Sequence, residues 1–269
     1  MYQDKNGIYV SELKQDISYP ESGNEQCFRV EKNSFWFNQR NSVIYEIIQK
    51  FPFQNNFVDI GGGNGYQANF IQQKFSDKKI FLIEPGYEGC LKAKNYGVKN
   101  IYNIPFQEFD FIGNNIGGVG LFDVIEHIEN DSLFLQEIAK SSNPGTLIYV
   151  TVPAYQSLWS DTDDYAGHYR RYNKNMIKSL AKKSDLNLIY SGYFMFYLPL
   201  PIYFFKHLPY KFRGKRDNDV LLKNELNNLN SKGISTPIIN LLNAIEIGSI
   251  RNFGKLIFGG SCIFFLQTK

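Results

Sequence analysis

Asp59, Gly61, Gly63, Gly65 and Glu84 are the residues of this chain whose types and spacing could do chemistry. An apolar run carrying one acid, Phe57-Val58-Asp59-Ile60, enters a glycine-dense turn, Gly61-Gly62-Gly63-Asn64-Gly65, and a helix-like segment, Tyr66 to Phe75, follows. Strand, glycine turn and helix together build a cradle for a nucleotide-like cofactor, because glycine lets a ligand approach the backbone more closely than any Cβ allows. A second apolar run, Ile80 to Ile83, ends in Glu84-Pro85, and an acid at the tip of a second strand can grip a ribose diol. Two cofactor classes use this layout. A dinucleotide site wants G-x-G-x-x-G, with a pyrophosphate on the helix N-terminus. Here the spacing is G-x-G-x-G, Tyr66 stands in place of the last glycine, and Asp59 precedes the turn. That acid would repel a pyrophosphate but suits a cofactor bearing an amino group and a sulfonium.

The pattern resembles motif I of the class I S-adenosylmethionine (SAM)-dependent methyltransferases, and the downstream chain extends the resemblance. Gly117 to Phe122 reads as a buried strand with Asp123-Val124-Ile125-Glu126-His127 at its carboxyl end. A helix (Asp131 to Ser141), the turn Asn143-Pro144-Gly145 and a strand from Thr146 to Val152 follow, departing from the family pattern only where Thr146 replaces a second glycine. Leu158-Trp159-Ser160, Asp163 and Gly167-His168-Tyr169-Arg170-Arg171-Tyr172 resemble a type 11/12/23-like subgroup with a "GH.RRY" signature. The resemblance covers residues 34 to 200 well and the last seventy only loosely.

It implies SAM as cofactor, with S-adenosylhomocysteine as product, and a methyl acceptor that is a small molecule, a glycan precursor or a lipid-linked compound methylated on a hydroxyl or amine. Glu84 would take the ribose hydroxyls; Gly61 and Gly63 would line the amino-acid part, and Asp59 and Gly65 would also bind the cofactor. Gln107 would meet the adenine amine, and Phe122 and Asp123 the methionyl portion. Arg40 would pair with the cofactor carboxylate through its bidentate fork, or else form a surface ion pair. Asp59 has its own alternative, a strand-end acid satisfied by turn amides. His127 is the candidate base, or a packing residue. His168, Arg170, Arg171 and Tyr172 would face the acceptor, and two arginines would suit an anionic one; alternatively Arg171 and Tyr172 pin their loop to Asp161, Asp163 or Asp164. The competing functions are an NAD-dependent oxidoreductase or epimerase, disfavoured by the missing glycine and the lack of a placed Tyr-x-x-x-Lys pair, and a non-catalytic SAM-binding protein.

Those residues need a sheet to hold them. The alternation of strands and helices from Phe57 to Val152 predicts βαβ units and a parallel sheet, with the ligand crevice at the strands' carboxyl ends. The expected fold is a doubly wound, Rossmann-like α/β domain with a seven-stranded sheet, a final antiparallel strand and a helical cap insertion. Residues 1–32 form an N-terminal extension with a strand-like piece at Gly7 to Val10 and a turn at Tyr19-Pro20. Residues 33–196 form the core, opened by a helix over Asn33 to Lys50 and closed by a helix over Asn173 to Lys183 and a strand over Leu186 to Tyr193. Residues 197–257 form the cap, and residues 258–269 return to the sheet through Gly259 to Gln267.

The cap is the odd feature. Phe194 to Phe205 is intensely apolar, and Lys206, His207, Lys211, Arg213, Lys215 and Arg216 follow. The stretch is too short and proline-broken to span a bilayer, which takes about 20 apolar residues. It either covers the active site or makes a peripheral membrane contact through residues 194–216, aromatics in the interface and cations on anionic headgroups. Residues 217–232 read as a polar loop. Thr236-Pro237 opens a helix whose apolar face comprises Ile238, Leu241, Leu242, Ile245 and Ile250.

Composition narrows the partners. With 269 residues, 43% of them hydrophobic, the chain can bury a substantial core. A net charge of +3 is too small to imply nucleic acid. Cys27, Cys90 and Cys262 are scattered and only His127, His168 and His207 accompany them, so neither a disulfide framework nor a metal site is expected. No signal-peptide pattern opens the chain, and the expected location is cytoplasmic, either free or peripheral at the inner membrane face.

Overall fold

Alternation along the strands sets the layers of this molecule. A computed structural model describes residues 1–13, 28–216 and 236–269. Its strands are β1 (Tyr2–Gln3), β2 (Tyr9–Val10), β3 (Asn56–Ile60), β4 (Ile80–Ile83), β5 (Asn100–Asn103), β6 (Ile116–Phe122), β7 (Leu147–Pro153), β8 (Asn187–Phe194) and β9 (Ser261–Gln267). They form one mixed sheet in the order β1-β2-β5-β4-β3-β6-β7-β9-β8. β9 runs antiparallel to both β7 and β8, and the pairs from β5 through β7 are parallel. Among the described residues the sheet has nine strands, the seven expected (β3 to β9) and the two short strands β1 and β2. The strand-like piece near Val10 pairs with β5 and folds back on β1, so part of the N-terminal extension belongs to the sheet.

The helices are α1 (Phe35–Lys50), α2 (Tyr66–Lys74), α3 (Tyr87–Tyr96), α4 (Asp131–Ser141), α5 (Asp161–Ala166), α6 (Lys174–Lys183), α7 (Pro199–Ile202), α8 (Leu208–Arg213) and α9 (Thr236–Phe253). Phe57, Ile80, Leu82, Tyr149 and Phe265 pack on one face against Ile44 and Ile47 of α1, Ile71 of α2 and Ala93 of α3. Their neighbours Val58, Phe81, Ile83, Val150 and Phe264 pack on the other against Leu135 of α4 and Leu180 of α6. A two-residue period buried on both faces gives a three-layer sandwich. The glycine-rich run of β6 has a packing cause. A Cβ at Gly120 would lie 2.5 Å from Phe122 Cε2 and 2.9 Å from Phe57 Cζ, the two rings that stack across β3 and β6. β3 sits between β4 and β6, so the topological switch, and the crevice, fall at its carboxyl end.

The region expected to form one cap divides in two. α7 and α8, joined by a π-helical turn (Tyr203–His207), are tied to the loop after β7: Trp159 O lies 2.8 Å from His207 Nδ1, and Tyr210 donates to Asp164 at 2.8 Å. α9 lies instead along α1, where Gln39 donates to Glu246 at 2.7 Å and Lys50 donates to the Ile250 carbonyl at 2.8 Å. Its expected apolar face does not turn inward as a unit. Ile250 is buried, but Ile238, Leu241 and Ile245 are exposed, because the helix rotates to bury Glu246, which takes Gln39 and the Phe196 amide. Phe194 and Met195 are core residues, so any surface contact of this region begins beyond them. The loop expected at 217–232 and the turn at Tyr19-Pro20 lie outside the described residues.

Candidate active site

β3 delivers Asp59 into the sheet's interior and then breaks into the glycine turn. Gly61, Gly63 and Gly65 all take positive φ (69, 55 and 75°), and a Cβ at Gly62 would lie 2.3 Å from Leu82 Cδ1 and 2.7 Å from Asp59 Oδ2. The backbone lies against the acid itself. Asp59 is 0% exposed, and neither carboxylate oxygen has a hydrogen-bond partner. Burial pushes its carboxyl up to about 7; the Arg40 charge opposes that rise and Glu84 adds to it. The turn amides do not satisfy Asp59. They serve Glu84 instead, whose carboxylate accepts from Gly63 N at 2.7 Å and Gly86 N at 2.8 Å. Burial pushes Glu84 to about 7 as well, against those two bonds. Each of its oxygens keeps a lone pair for a further donor.

Arg40 reaches the same end of the sheet from α1. It is paired with Asp123 just past β6, and Trp36 lies 4.9 Å from its guanidinium carbon. Of the two partners expected for Arg40, a protein carboxylate holds it, although the pair is largely buried rather than superficial. Its Nε stays without a partner, as do both amide atoms of Asn41 on α1 and of Gln67 in the first turn of α2. Each unsatisfied buried polar group costs about 1–3 kcal/mol. Their concentration on α1, at the end of β3 and at the start of α2 marks a place shaped for a polar ligand. Neither Asn41 nor Gln67 was expected; an amide in a helix reads in sequence as a solvent-facing residue.

Phe122 is buried in the core with its ring on Phe57, so its contact with a ligand would be through backbone. Asp123 follows at φ 59°, a left-handed bend at the strand's end that sends Val124 toward Gly61. Gln107 does not join this group. It is exposed on the 3₁₀ turn Phe106–Glu108 and donates to Glu137 of α4 at 3.0 Å.

A second polar cluster forms where the 3₁₀ turn Ile125–His127 meets the loop after α5. Tyr169 N donates to the Glu126 carbonyl at 2.8 Å, which brings His168 to His127 with ring centroids 4.7 Å apart. α5 exists to hold this loop. Its Ser160–Asp163 capping box starts the helix, and Gly167 ends it at φ 73°. Asp163 then takes His168 Nδ1 at 2.9 Å and Arg171 Nε at 2.8 Å. Burial works against its ionisation, but the His168 and Arg171 contacts win and hold its carboxyl at about 2. Burial, with the charge of His168, pushes His127 down to about 4, opposed by a backbone hydrogen bond at Ala166. Glu126 is pushed well above the usual carboxylate range by burial and by Asp123.

The arginines of the signature face inward. Arg171 is 7% exposed and donates to the Ala154 carbonyl as well as to Asp163. Arg170 pairs with Asp131 at 2.8 Å and donates to the carbonyls of Ile128 and Glu129. Tyr172 also donates to Asp131, at 2.8 Å, rather than to the acids of α5. Of the two readings of this loop, Arg171 takes the one in which it pins the loop to Asp163, and both guanidiniums stitch the loop to the protein rather than opening toward an anionic acceptor. Asp131 was not foreseen in that role, because nothing local links it to Tyr172.

A methyltransferase-domain family model matches residues 32–191, more than half of the chain. The chain belongs to the class I SAM-dependent methyltransferase family. No curated protein matches it by sequence. Among solved structures, it is similar to a chain from the complex of the Haloferax volcanii Trm112 methyltransferase activator with a methyltransferase, at 12% identity over 92% of this chain and 95% of that one, TM-score 0.55. It is similar to a SAM-dependent methyltransferase from Thermotoga maritima at 11% identity, covering 92% and 96%, TM-score 0.54. The plantazolicin methyltransferase BamL, solved with S-adenosylhomocysteine, shares 13% identity, 94% and 92% coverage and TM-score 0.54. At these identities the likeness bears on the fold. Against the dinucleotide alternative, Asp59 lies directly beneath the turn where a pyrophosphate would rest. The residues present fit the family's cofactor, SAM, since a buried, unpartnered carboxylate and free buried amides match a cationic, zwitterionic ligand. Among the described residues, no helix is long and apolar enough to cross a membrane.

Proposed function

We propose that this chain is an enzyme that transfers a methyl group from SAM to an oxygen or nitrogen of a small acceptor. The observation that carries this is Asp59, fully buried and unpartnered beneath the glycine turn. An isolated carboxylate there is costly unless a cationic ligand compensates it. When bound, SAM supplies an electrophilic methyl that leaves its sulfonium sulfur by in-line displacement. The protein's own task is to hold and align, and orientation can supply about 7–11 kcal/mol in favourable cases. Asp59 and Glu84 hold the cofactor, Arg40 and Asp123 bound it on the β6 side, and the His127–His168 pair faces the acceptor.

Of the two histidines His168 is the one oriented by a carboxylate. Asp163 binds its Nδ1 and leaves Nε2 for the acceptor. His127, held near 4 by burial, stays neutral and can only accept or donate a hydrogen bond. Arg171 is a positioning residue through Asp163. With both arginines engaged, the preference for an anionic acceptor loses its support, and a neutral hydroxyl or amine on a small or lipid-linked molecule fits the imidazole pair better.

Calorimetric titration with SAM, S-adenosylhomocysteine and NAD⁺, on wild type and Glu84→Ala, tests the reading. Binding of the two sulfur ligands, weakened by the substitution, supports it; NAD⁺ binding, or silence toward all three, overturns it. A non-catalytic SAM-binding protein would bind yet transfer no label from methyl-labelled SAM across a panel of hydroxyl and amine acceptors.

A second reading concerns the α7–α8 arm. Leu200, Phe204, Phe205 and Phe212 are exposed there, the last two at 77% and 80%, beside Lys211 and Arg213. Aromatics flanked by cations suit the interface of an anionic membrane. Sedimentation with anionic vesicles at low salt checks this, and no pelleting would remove it.

A further inference from the structure

Glu126, His127 and His168 do more than face the acceptor. One carboxylate oxygen and one ring nitrogen from each histidine lie within 4.8 Å of one another. We propose that these three side chains form a binding site for a divalent transition-metal ion of the zinc type.

Three features carry this beyond proximity. Glu126 is 1% exposed, and its Oε2 is buried with no hydrogen-bond partner, although both imidazoles lie beside it. A carboxylate sunk in protein with an unengaged oxygen needs either a donor or a cation. His168 is already arranged as a ligand: Asp163 Oδ1 holds its Nδ1 at 2.9 Å, so the remaining nitrogen, Nε2, points its lone pair elsewhere. A carboxylate behind a histidine is the usual outer support of a metal-bound imidazole, fixing its tautomer and orientation. That support is itself fixed, since Asp163 is held by Arg171 Nε at 2.8 Å and by Ser160 N at 2.9 Å. The two loops that supply the ligands are joined by the Tyr169 N to Glu126 carbonyl bond at 2.8 Å, so the three residues keep their relation without an ion.

The donor set selects the metal. Two imidazoles and one carboxylate suit zinc and neighbouring first-row ions, whereas magnesium and calcium prefer oxygen shells. Three protein ligands leave a position open, which is the pattern of an ion that meets a further ligand rather than one that only braces the fold. The sequence gives no hint of this, because Glu126 and His127 are adjacent and His168 comes from a distant loop. Metal binding stands apart from the methyl-transfer reading; only the idea that the open position receives the acceptor's oxygen or nitrogen rests on it. With an ion in place, His168 Nε2 is engaged, and polarisation of the acceptor passes from the imidazole to the metal.

The test uses the whole chain, stripped with chelator and dialysed. Zinc is titrated calorimetrically, and cobalt(II) is followed by its visible d–d bands, on wild type, Glu126→Gln and His168→Gln. The expected result is about one equivalent bound by wild type and a loss of affinity exceeding about 100-fold in each variant. Asp163→Asn should cost a smaller factor, about 10–100-fold. SAM binding measured without metal, together with far-UV circular dichroism, verifies that each variant is folded and keeps the cofactor question separate. Glu126→Gln is isosteric and removes a buried acid, so it supplies the decisive comparison if another variant misfolds. No uptake of either ion by wild type, or uptake unchanged in folded Glu126→Gln, overturns the proposal. Cobalt spectra dominated by thiolate charge transfer would likewise overturn it by placing the ion on cysteine.

Discussion

Asp59 and Asp163 are the same residue type at 0% and 1% exposure, and their carboxyls are driven in opposite directions, to about 7 and about 2. The difference lies in what each region has been built to meet. Around Asp163 every partner comes from the protein: Ser160, His168 and Arg171 close the loop on themselves. Around Asp59 the backbone is pressed close and no donor arrives, while Glu84 takes the turn amides. One region is self-sufficient. The other is incomplete and therefore receptive.

Breaking the self-sufficient half should cost most. Asp163→Ala strands the buried Arg171 guanidinium and should lower stability by about 3–5 kcal/mol in urea unfolding. SAM affinity of the folded fraction should be little changed. A loss under about 1 kcal/mol would mean that water reaches Arg171 freely.

The receptive half should show the reverse sign. Asp59 and Glu84 bind protons more tightly folded than unfolded, so their stabilising contribution is fully present below pH about 4 and is lost as pH rises through about 7. Asp163 behaves oppositely: its contribution is present above pH about 4 and lost only as pH falls toward about 2. Asp59→Asn should therefore stabilise the ligand-free protein at pH 8 by something on the order of a few kcal/mol and flatten part of the decline between pH about 4 and about 7, while weakening SAM binding. A variant less stable than wild type at pH 8 would show that the buried charge has a partner after all.

Two smaller effects sharpen the contrast. Gly62→Ala forces a methyl against Leu82 and Asp59 and should cost about 1–3 kcal/mol, with at least a comparable loss in SAM binding free energy by calorimetry. Gln107→Ala, on an exposed turn, should stay within about 0.5 kcal/mol in stability and leave SAM affinity unchanged. A marked loss of affinity there would restore its expected place beside adenine.

Much of the sheet was legible, because strands buried on both faces read as short apolar runs between turn signals, as Ile80 to Ile83 and Thr146 to Val152 do. The two-residue strands at the N-terminus were only half visible, since so short a pairing leaves little periodicity. The inward turn of Arg171 toward Asp163 was legible only as one of two readings, and that of Arg170 toward Asp131 was not legible. Two adjacent arginines look like an anion receptor until the acids that claim them, Asp131 and Asp163, come close through the fold. The same holds for α9, where an apolar stripe suggested burial and Glu246 was buried in its stead because Gln39 and the Phe196 amide await it.

By itself, the sequence determined the glycine turn and the buried acids around it. Glycines that must reach positive φ and an acid before the turn act through local backbone geometry, and local geometry is written in neighbouring residues. Only the tertiary structure decided the histidine cluster. There the chemistry depends on which charged side chain meets which: Glu126 and His127 share one turn and His168 lies on another loop, and their meeting is set by packing and long-range hydrogen bonds rather than by spacing along the chain.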